Sequence, residues 1–403
     1  RMLTNGTEIG DVVGLGKTIY VDSQTLRTTT GAEAGGARAT QLSRDFSQSH
    51  VSLSRLTTHR THRIGVASLF SSLSSSAACA PSASRGASPR WRRPSARNKS
   101  PYVADVRVKS DESVAIAHVP NLDSGGKLRE GARALCSRQK GVTATTLGQH
   151  GTPKCELICR LLRCEERENE HLGGVWLSAH PSLVEKIALA LLENGALDDR
   201  LHASPIIRDE IKTQKTLKRE VTESASNSYR PDFALKHEDG STTILEVKQV
   251  VDTDYAREFV EAQAREQSPH PAYSPSAKKG EPYARAGIFP WGKRGQKGPD
   301  GEKVVSARAI EHLRELSELA SKSPDVHPAV LFICSRADAM GMRPNGAACP
   351  SFAKHLSRAQ RKGVRVLVQK VRWGEGDDVG KAFDAGPLEL WPALEEGDEF
   401  TMK

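Results

Sequence analysis

Aromatic side chains are scarce: Phe, Tyr and Trp together make up 5% of the 403 residues. So few rings leave little material for the stacking platforms that grip unpaired nucleic-acid strands. Long apolar runs are missing too. The stretch at residues 330–334 is short and bounded by polar residues, whereas a membrane-spanning helix needs roughly 20 consecutive apolar residues. Seven cysteines, Cys79, Cys136, Cys155, Cys159, Cys164, Cys334 and Cys349, form no paired framework, which argues against a disulfide-stapled secreted protein and for a reducing compartment. Cys155, Cys159 and Cys164, with His150 and His171 nearby, lack the tight paired spacing of a structural zinc site. Acidic residues are in deficit, 49 against 58 basic, giving a formal charge of +9. That balance suits a polyanionic partner. A hydrophobic fraction of 37% predicts that part of the chain lies outside any packed core.

Residues 38–98 are rich in Ser, Ala, Thr and Arg, with Asp45 the only acid among them. This composition resembles an organellar transit peptide, for a chloroplast or a mitochondrion, and cannot bury enough apolar surface to fold alone. Residues 1–95 are therefore set apart as disordered or transit-like, and the part before about Pro94 is expected to be dispensable for folding. Near the start, DVVGLGKTI at residues 11–19 has the look of a phosphate loop with Lys17 as its lysine. Asp11 stands where that pattern has glycine, and no apolar strand ending in an Asp-Glu pair follows, so ATP binding is not expected.

Ordered structure is predicted from Tyr102 onward. VADVRV and SVAIAHV alternate as half-buried strands do, with SDES as a turn between them, and a small β domain is assigned to residues 96–170. In PSLVEKIALALLENG, Leu183, Ile187, Ala188, Leu191 and Leu192 share one helical face and Gly195 supplies the stop. Ser182 and Glu185 have capping-box spacing. YRPDFAL and TTILEVKQV read as two antiparallel strands joined at the Asp239-Gly240 turn. A Pro-, Lys- and Gly-rich stretch at 268–303 reads as a long loop, and residues 306–320 as a helix through Ile310, Leu313 and Leu316. AVLFIC, the helix at 352–362 closed by Gly363, and VRVLVQKV complete a mixed α/β sheet domain over residues 171–392, with a tail at 393–403.

Glu246 and Lys248 are two apart on one strand and project to the same face, while Leu245 and Val247 point to the other. Asp232 opens the neighbouring strand, so the hairpin brings its carboxylate beside Glu246. Together the two acids offer oxygen ligands for a hard divalent cation, Mg²⁺ or Mn²⁺. An adjacent lysine suits the orientation of an attacking water or the charge of a phosphodiester transition state. Glu185, on the preceding helix, is the available third carboxylate, although its capping-box spacing offers a structural explanation instead.

YRPDFAL, ILEVKQV, IFP and SARAIEHLREL, in that order, resemble the sugar fermentation stimulation protein A family. The resemblance extends upstream through ADV, HVPN and WLSAHPSLVEKIALALLENG, and covers roughly residues 102–390. It implies an OB-like β-barrel followed by a PD-(D/E)xK restriction-endonuclease-like domain, DNA binding to duplex, and Asp232, Glu246 and Lys248 as the catalytic-type residues. It also makes Arg308 and His312, four apart on one helix, candidate phosphate contacts, with Arg230 beside the acidic site. Val119, Leu122, Asp123, Pro101 and Ala307 depart from the family's pattern. Two functions follow: a metal-dependent nuclease acting on DNA, or a non-catalytic DNA-binding regulator built on the same folds.

Overall fold

The computed structural model describes residues 102–108, 113–121, 127–128, 132–166, 174–213, 228–260, 282–292 and 294–393, with the short strands Arg63–Val66, Leu217–Lys218 and Ser274–Pro275. The phosphate-loop-like stretch at 11–19, most of residues 1–95 and the tail from 394 lie outside these.

The first sheet comprises β1 (Arg63–Val66), β2 (Val103–Val108), β3 (Val114–His118), β4 (Arg133–Arg138), β5 (Leu157–Cys164) and β6 (Val175–Ser178). Its order is β3-β2-β1-β4-β5-β6, and β3 also pairs with β5, parallel, through Ala117 with Leu157 and His118 with Ile158. That pairing closes the first five strands into a circuit. The alternation read in VADVRV and VAIAH fits their position: Ala104, Val106, Val108, Ala115 and Ala117 pack with Leu157, Leu162 and Leu177 in one core. β1 pairs antiparallel with both β2 and β4. The folded part therefore draws one strand from the segment set apart on composition.

The second sheet is mixed. β7 (Lys212–Thr213), β8 (Phe233–Lys236), β9 (Thr242–Val250), β12 (Val326–Cys334), β14 (Arg365–Trp373) and β15 (Ala382–Pro387) lie side by side in chain order. β8 and β9 form the predicted hairpin, with Phe233 opposite Leu245 and Lys236 opposite Thr242. Gly240 takes φ +84° at the turn, and Asp239 Oδ1 accepts the Ser241 N–H at 2.9 Å, as an Asp-Gly turn requires. β9, β12 and β14 run parallel, so helices must cross over between them. These are α2 (Ala307–Lys322) and α3 (Pro350–Arg361).

One face of this sheet is covered by α1 (Ser182–Glu193), whose Leu183, Ile187, Leu191 and Leu192 meet Leu245, Val247, Leu331 and Ile333. The other is covered by α2 and α3, where Ile310, Leu313, Leu316, Phe352 and Leu356 meet Ile244, Val330, Phe332 and Val368. Both faces of β9 and β12 are thus buried, which explains the unbroken apolar run of AVLFIC. Truncating a fully buried leucine here, such as Leu191→Ala, would cost about 2–5 kcal/mol.

Two further expectations change. The capping box is not formed: α1 begins one residue earlier, with Pro181 at the N-cap and no side-chain cap, and the Ser182 N–H donates to His180 Nδ1 at 3.2 Å. Ser182 is already inside the helix, and its N–H goes to His180 rather than to Glu185. The long loop also carries structure. Ala286–Phe289 (β11) pairs antiparallel with Asp252–Tyr255 (β10) and parallel with Gly341–Pro344 (β13). Gln296–Lys297 and Lys303–Val304 form a small hairpin, whose Gln296 Oε1 accepts the Ala307 N–H at 2.9 Å. α2 therefore takes a cap from outside its own sequence; Ser306, at the N-cap, makes no side-chain cap bond.

Candidate functional site

Asp232, Glu246 and Lys248 come together as the hairpin register demands. Asp232 directly precedes β8, and its Oδ2 accepts the Val247 N–H of β9 at 2.7 Å. Glu246 and Lys248 share the face under α2, and Lys248 Nζ donates to Glu246 Oε1 at 2.5 Å. Glu246 is 2% exposed. It is a buried carboxylate, with costs and consequences unlike those of a solvent-facing ion pair.

Burial that deep must be compensated, and α2 supplies the compensation. His312 Nδ1 donates to Glu246 Oε1, and Arg308 Nε donates to His312 Nε2 at 3.2 Å. An imidazole that accepts on Nε2 carries its proton on Nδ1, toward Glu246, and Lys248 Nζ stands 3.2 Å from that same nitrogen. Tyr229 Oη donates to Glu246 Oε2 at 3.1 Å, and its ring packs edge-on against His312. Burial pushes the Glu246 carboxyl up, but the His312 bond and the Lys248 charge outweigh it and leave it below its ordinary value. Glu246 is held ionised.

Asp232 goes the other way. Burial, then the charge of Glu246, raise it to about 6 against an ordinary 3.8; the Val247 N–H and Lys248 oppose the rise, and Glu185 adds to it. Glu185, half-buried on α1, therefore stands close enough for its charge to be felt at Asp232. Three carboxylates converge electrostatically on one place, and the one at the centre resists ionisation.

In charge and donor type this set fits a hard divalent cation, which would relieve the repulsion that raises Asp232. It is not preassembled. Among the described residues no three His, Cys, Asp or Glu are placed as a ready metal group, because Glu246 is turned into the bonds of Tyr229, Lys248 and His312.

Of the candidate phosphate contacts, Arg308 and Arg230 are exposed. His312 is half-buried and turned inward to Glu246, so it serves the carboxylate before it serves any ligand. Sequence reasoning missed Tyr229. It lies three residues before Asp232, but only the hairpin register places its hydroxyl on Glu246.

Comparisons with known proteins bear on this arrangement. No curated protein matches the chain. The chain is similar to SfsA of Pyrococcus furiosus, whose structure is of a complex with Ca²⁺, at 18% identity and a TM-score of 0.46, over 73% of this chain and 93% of that one. The family model of the sugar fermentation stimulation protein RE domain matches residues 299–377, which span α2, β12, α3 and most of β14. Over that stretch, which holds the helix that carries Arg308 and His312 and the strand that pairs with Glu246, the chain is similar to the sugar fermentation stimulation protein family.

Proposed function

We propose that the chain is a DNA-binding protein of the sugar fermentation stimulation type, with a metal-dependent phosphodiester-cleaving site of the PD-(D/E)xK kind. The observation that carries this reading is the buried Glu246 beside Lys248, with Asp232 on the adjoining strand pushed up to about 6 by its acidic neighbours. A structural ion pair has no use for a second carboxylate held at that cost, whereas a cation site does. The order of the second unit supports it: a helix, an antiparallel β7-β8-β9 meander, then a helix crossing to a parallel strand. The closed five-strand circuit supports an OB-like barrel before it.

Asp232 and Glu246, with Glu185 as a third donor, would hold Mg²⁺ or Mn²⁺. When bound, the ion supplies a water of lowered pKa and charge for the phosphate oxygens. Lys248 stands where it can orient that water or stabilise the transition state once Glu246 turns to the ion. Arg308 and Arg230, exposed beside the site, suit the flanking phosphates of a DNA duplex.

The test is a cleavage panel over double-stranded DNA, single-stranded DNA and RNA with Mg²⁺ or Mn²⁺. Asp232→Asn and Glu246→Gln should abolish cleavage and weaken Mn²⁺ binding, while Lys248→Ala should keep the metal and lose the chemical step. Equal cleavage by wild type and all three variants would place the site elsewhere. Arg308→Ala should lower the slope of log affinity against log salt by roughly 0.9.

A non-catalytic DNA-binding regulator is the second reading, favoured by one observation: both Glu246 oxygens are already occupied by protein donors. Salt-dependent DNA binding with no cleavage and no metal uptake would decide for it. We further propose organellar delivery on the composition of residues 38–98, which a fluorescent fusion of the N-terminal segment tests.

A further inference from the structure

Where the barrel meets α1, four basic side chains gather with no acid among them. The register assembles them. His118 ends β3 opposite Ile158 of β5, and Ile158 lies opposite Ser137 of β4. Arg160, two residues along β5, donates Nε to Ser137 Oγ at 2.9 Å, and its carbonyl accepts the Ala179 N–H at 2.8 Å. His180 comes next in the chain and accepts the Ser182 N–H on Nδ1. Lys186 follows one turn into α1.

All four are half-buried, so each still reaches solvent. Among the described residues none of them hydrogen-bonds or ion-pairs with a carboxylate. Their mutual effect is visible in His180, which burial and then Arg160, His118 and Lys186 push down to about 4. Arg160 and Lys186 are then two partly desolvated cations with no carboxylate on them, an arrangement an anion completes, and His118 and His180, both held below their ordinary range, are left as neutral rings able to donate an N–H to it. Among the described residues the buried cations Lys127, Arg163, Arg285 and Arg336 each have a carboxylate partner.

The location adds direction. Ser178, two residues before His180, accepts a hydrogen bond on its carbonyl from Gln249 Nε2 at 2.8 Å. Gln249 follows Lys248 on β9 and points to the opposite face, so the basic seam and the candidate site share one strand.

We propose that His118, Arg160, His180 and Lys186 form a phosphate-binding site at the seam between the barrel and α1. Its occupant is a phosphate group, either in the backbone of a nucleic acid running on from the Asp232 and Glu246 site or as a free anion. The first source rests on the DNA reading above; the site's chemistry does not.

The experiment uses the full chain. The histidine ring signals of His118 and His180, assigned with His118→Gln and His180→Gln, are followed by NMR during titration with inorganic phosphate. Duplex binding is measured across a salt series in parallel. Wild type should show phosphate-dependent shifts of both rings, and the Arg160→Gln/Lys186→Gln double variant should not. The double variant should also lower the duplex salt slope by roughly 1.8, two contacts at 0.9 each, while Arg160→Lys/Lys186→Arg restores it. Shifts with an unchanged slope support the site with a free anion as occupant; a lowered slope without shifts supports backbone phosphate alone. Neither shifts nor a lowered slope overturns the proposal. A wild type that binds no duplex refutes the DNA reading, and the phosphate arm still decides the seam.

Discussion

Two of the buried ionic clusters among the described residues are built on opposite rules. Between the barrel and the second sheet, Lys127, Arg285 and Arg336 meet Glu166, Asp252 and Asp338: Arg336 to Glu166 at 3.0 Å and to Asp338 at 2.6 Å, Arg285 to the same two at 2.9 and 2.8 Å, Lys127 to Asp252 at 2.8 Å. Three positive groups face three negative ones. Burial would raise Glu166, yet Arg336 and Lys127 hold it well below the ordinary range; burial still raises Asp252, with Lys127 and Arg336 opposing the rise. The Asp232 cluster is not balanced this way: one carboxylate is fully served, and its neighbour is left raised to about 6. Where buried charge holds two units together it is neutralised in place, and where it is left unresolved something else must complete it.

That contrast can be broken from either side. Arg336, fully buried, is the group whose loss should cost most. Arg336→Met leaves Glu166 and Asp338 short of a partner and should destabilise the protein by about 3–5 kcal/mol, read from the denaturant midpoint. A loss below 1 kcal/mol would mean that the network is not what joins the units.

Asp232→Asn should do the reverse. Its folded pKa lies above the ordinary value, so the native state holds the proton more tightly. The stability this gives is complete below 3.8 and is lost as pH rises through about 6. The asparagine variant loses nothing over that window. It should be the more stable protein at pH 7 by on the order of 1–2 kcal/mol, and the gain should vanish near pH 4. An asparagine variant less stable than wild type at pH 7 would show that Asp232 is a structural group.

Tyr229→Phe is the subtlest change. It removes one bond to the Glu246 carboxylate and should cost about 1 kcal/mol of stability. If Glu246 must leave its protein partners to take a cation, the same variant should bind Mn²⁺ roughly five-fold more tightly by titration calorimetry. Weaker binding would show that Tyr229 orients Glu246 toward the ion.

Much of this site was legible because its logic is local. Period-two alternation put Glu246 and Lys248 on one face, and an Asp-Gly turn fixed the register that brings Asp232 alongside. What escaped depends on distant chain. DTDY at residues 252–255 has no apolar alternation, yet all four residues are buried, because Lys127 and Arg343 approach Asp252 and Asp254 from remote segments. His312 looked like one more polar position on a helix face, and only the packing of α2 over β9 turns it inward. The Ser182 to Glu185 spacing misled for a related reason: a neighbouring imidazole took the N–H that a capping box would have used. The four basic residues at the seam span β3, β5 and α1, and no spacing rule connects them.

β1 has a consequence for maturation. Its four residues fill the place between β2 and β4, so the circuit is closed by a piece of chain far upstream of the next strand. The entropy of closing a loop grows only with the logarithm of its length, so a stretch as long as that from Val66 to Val103 costs roughly 1–2 kcal/mol more than a short turn. Its composition is accordingly free to drift, which is how a strand can sit inside sequence that looks like a leader. If a leader is removed after delivery, the cut must fall before Arg63, because a protease acting any later would release a protein that has lost β1 from between β2 and β4.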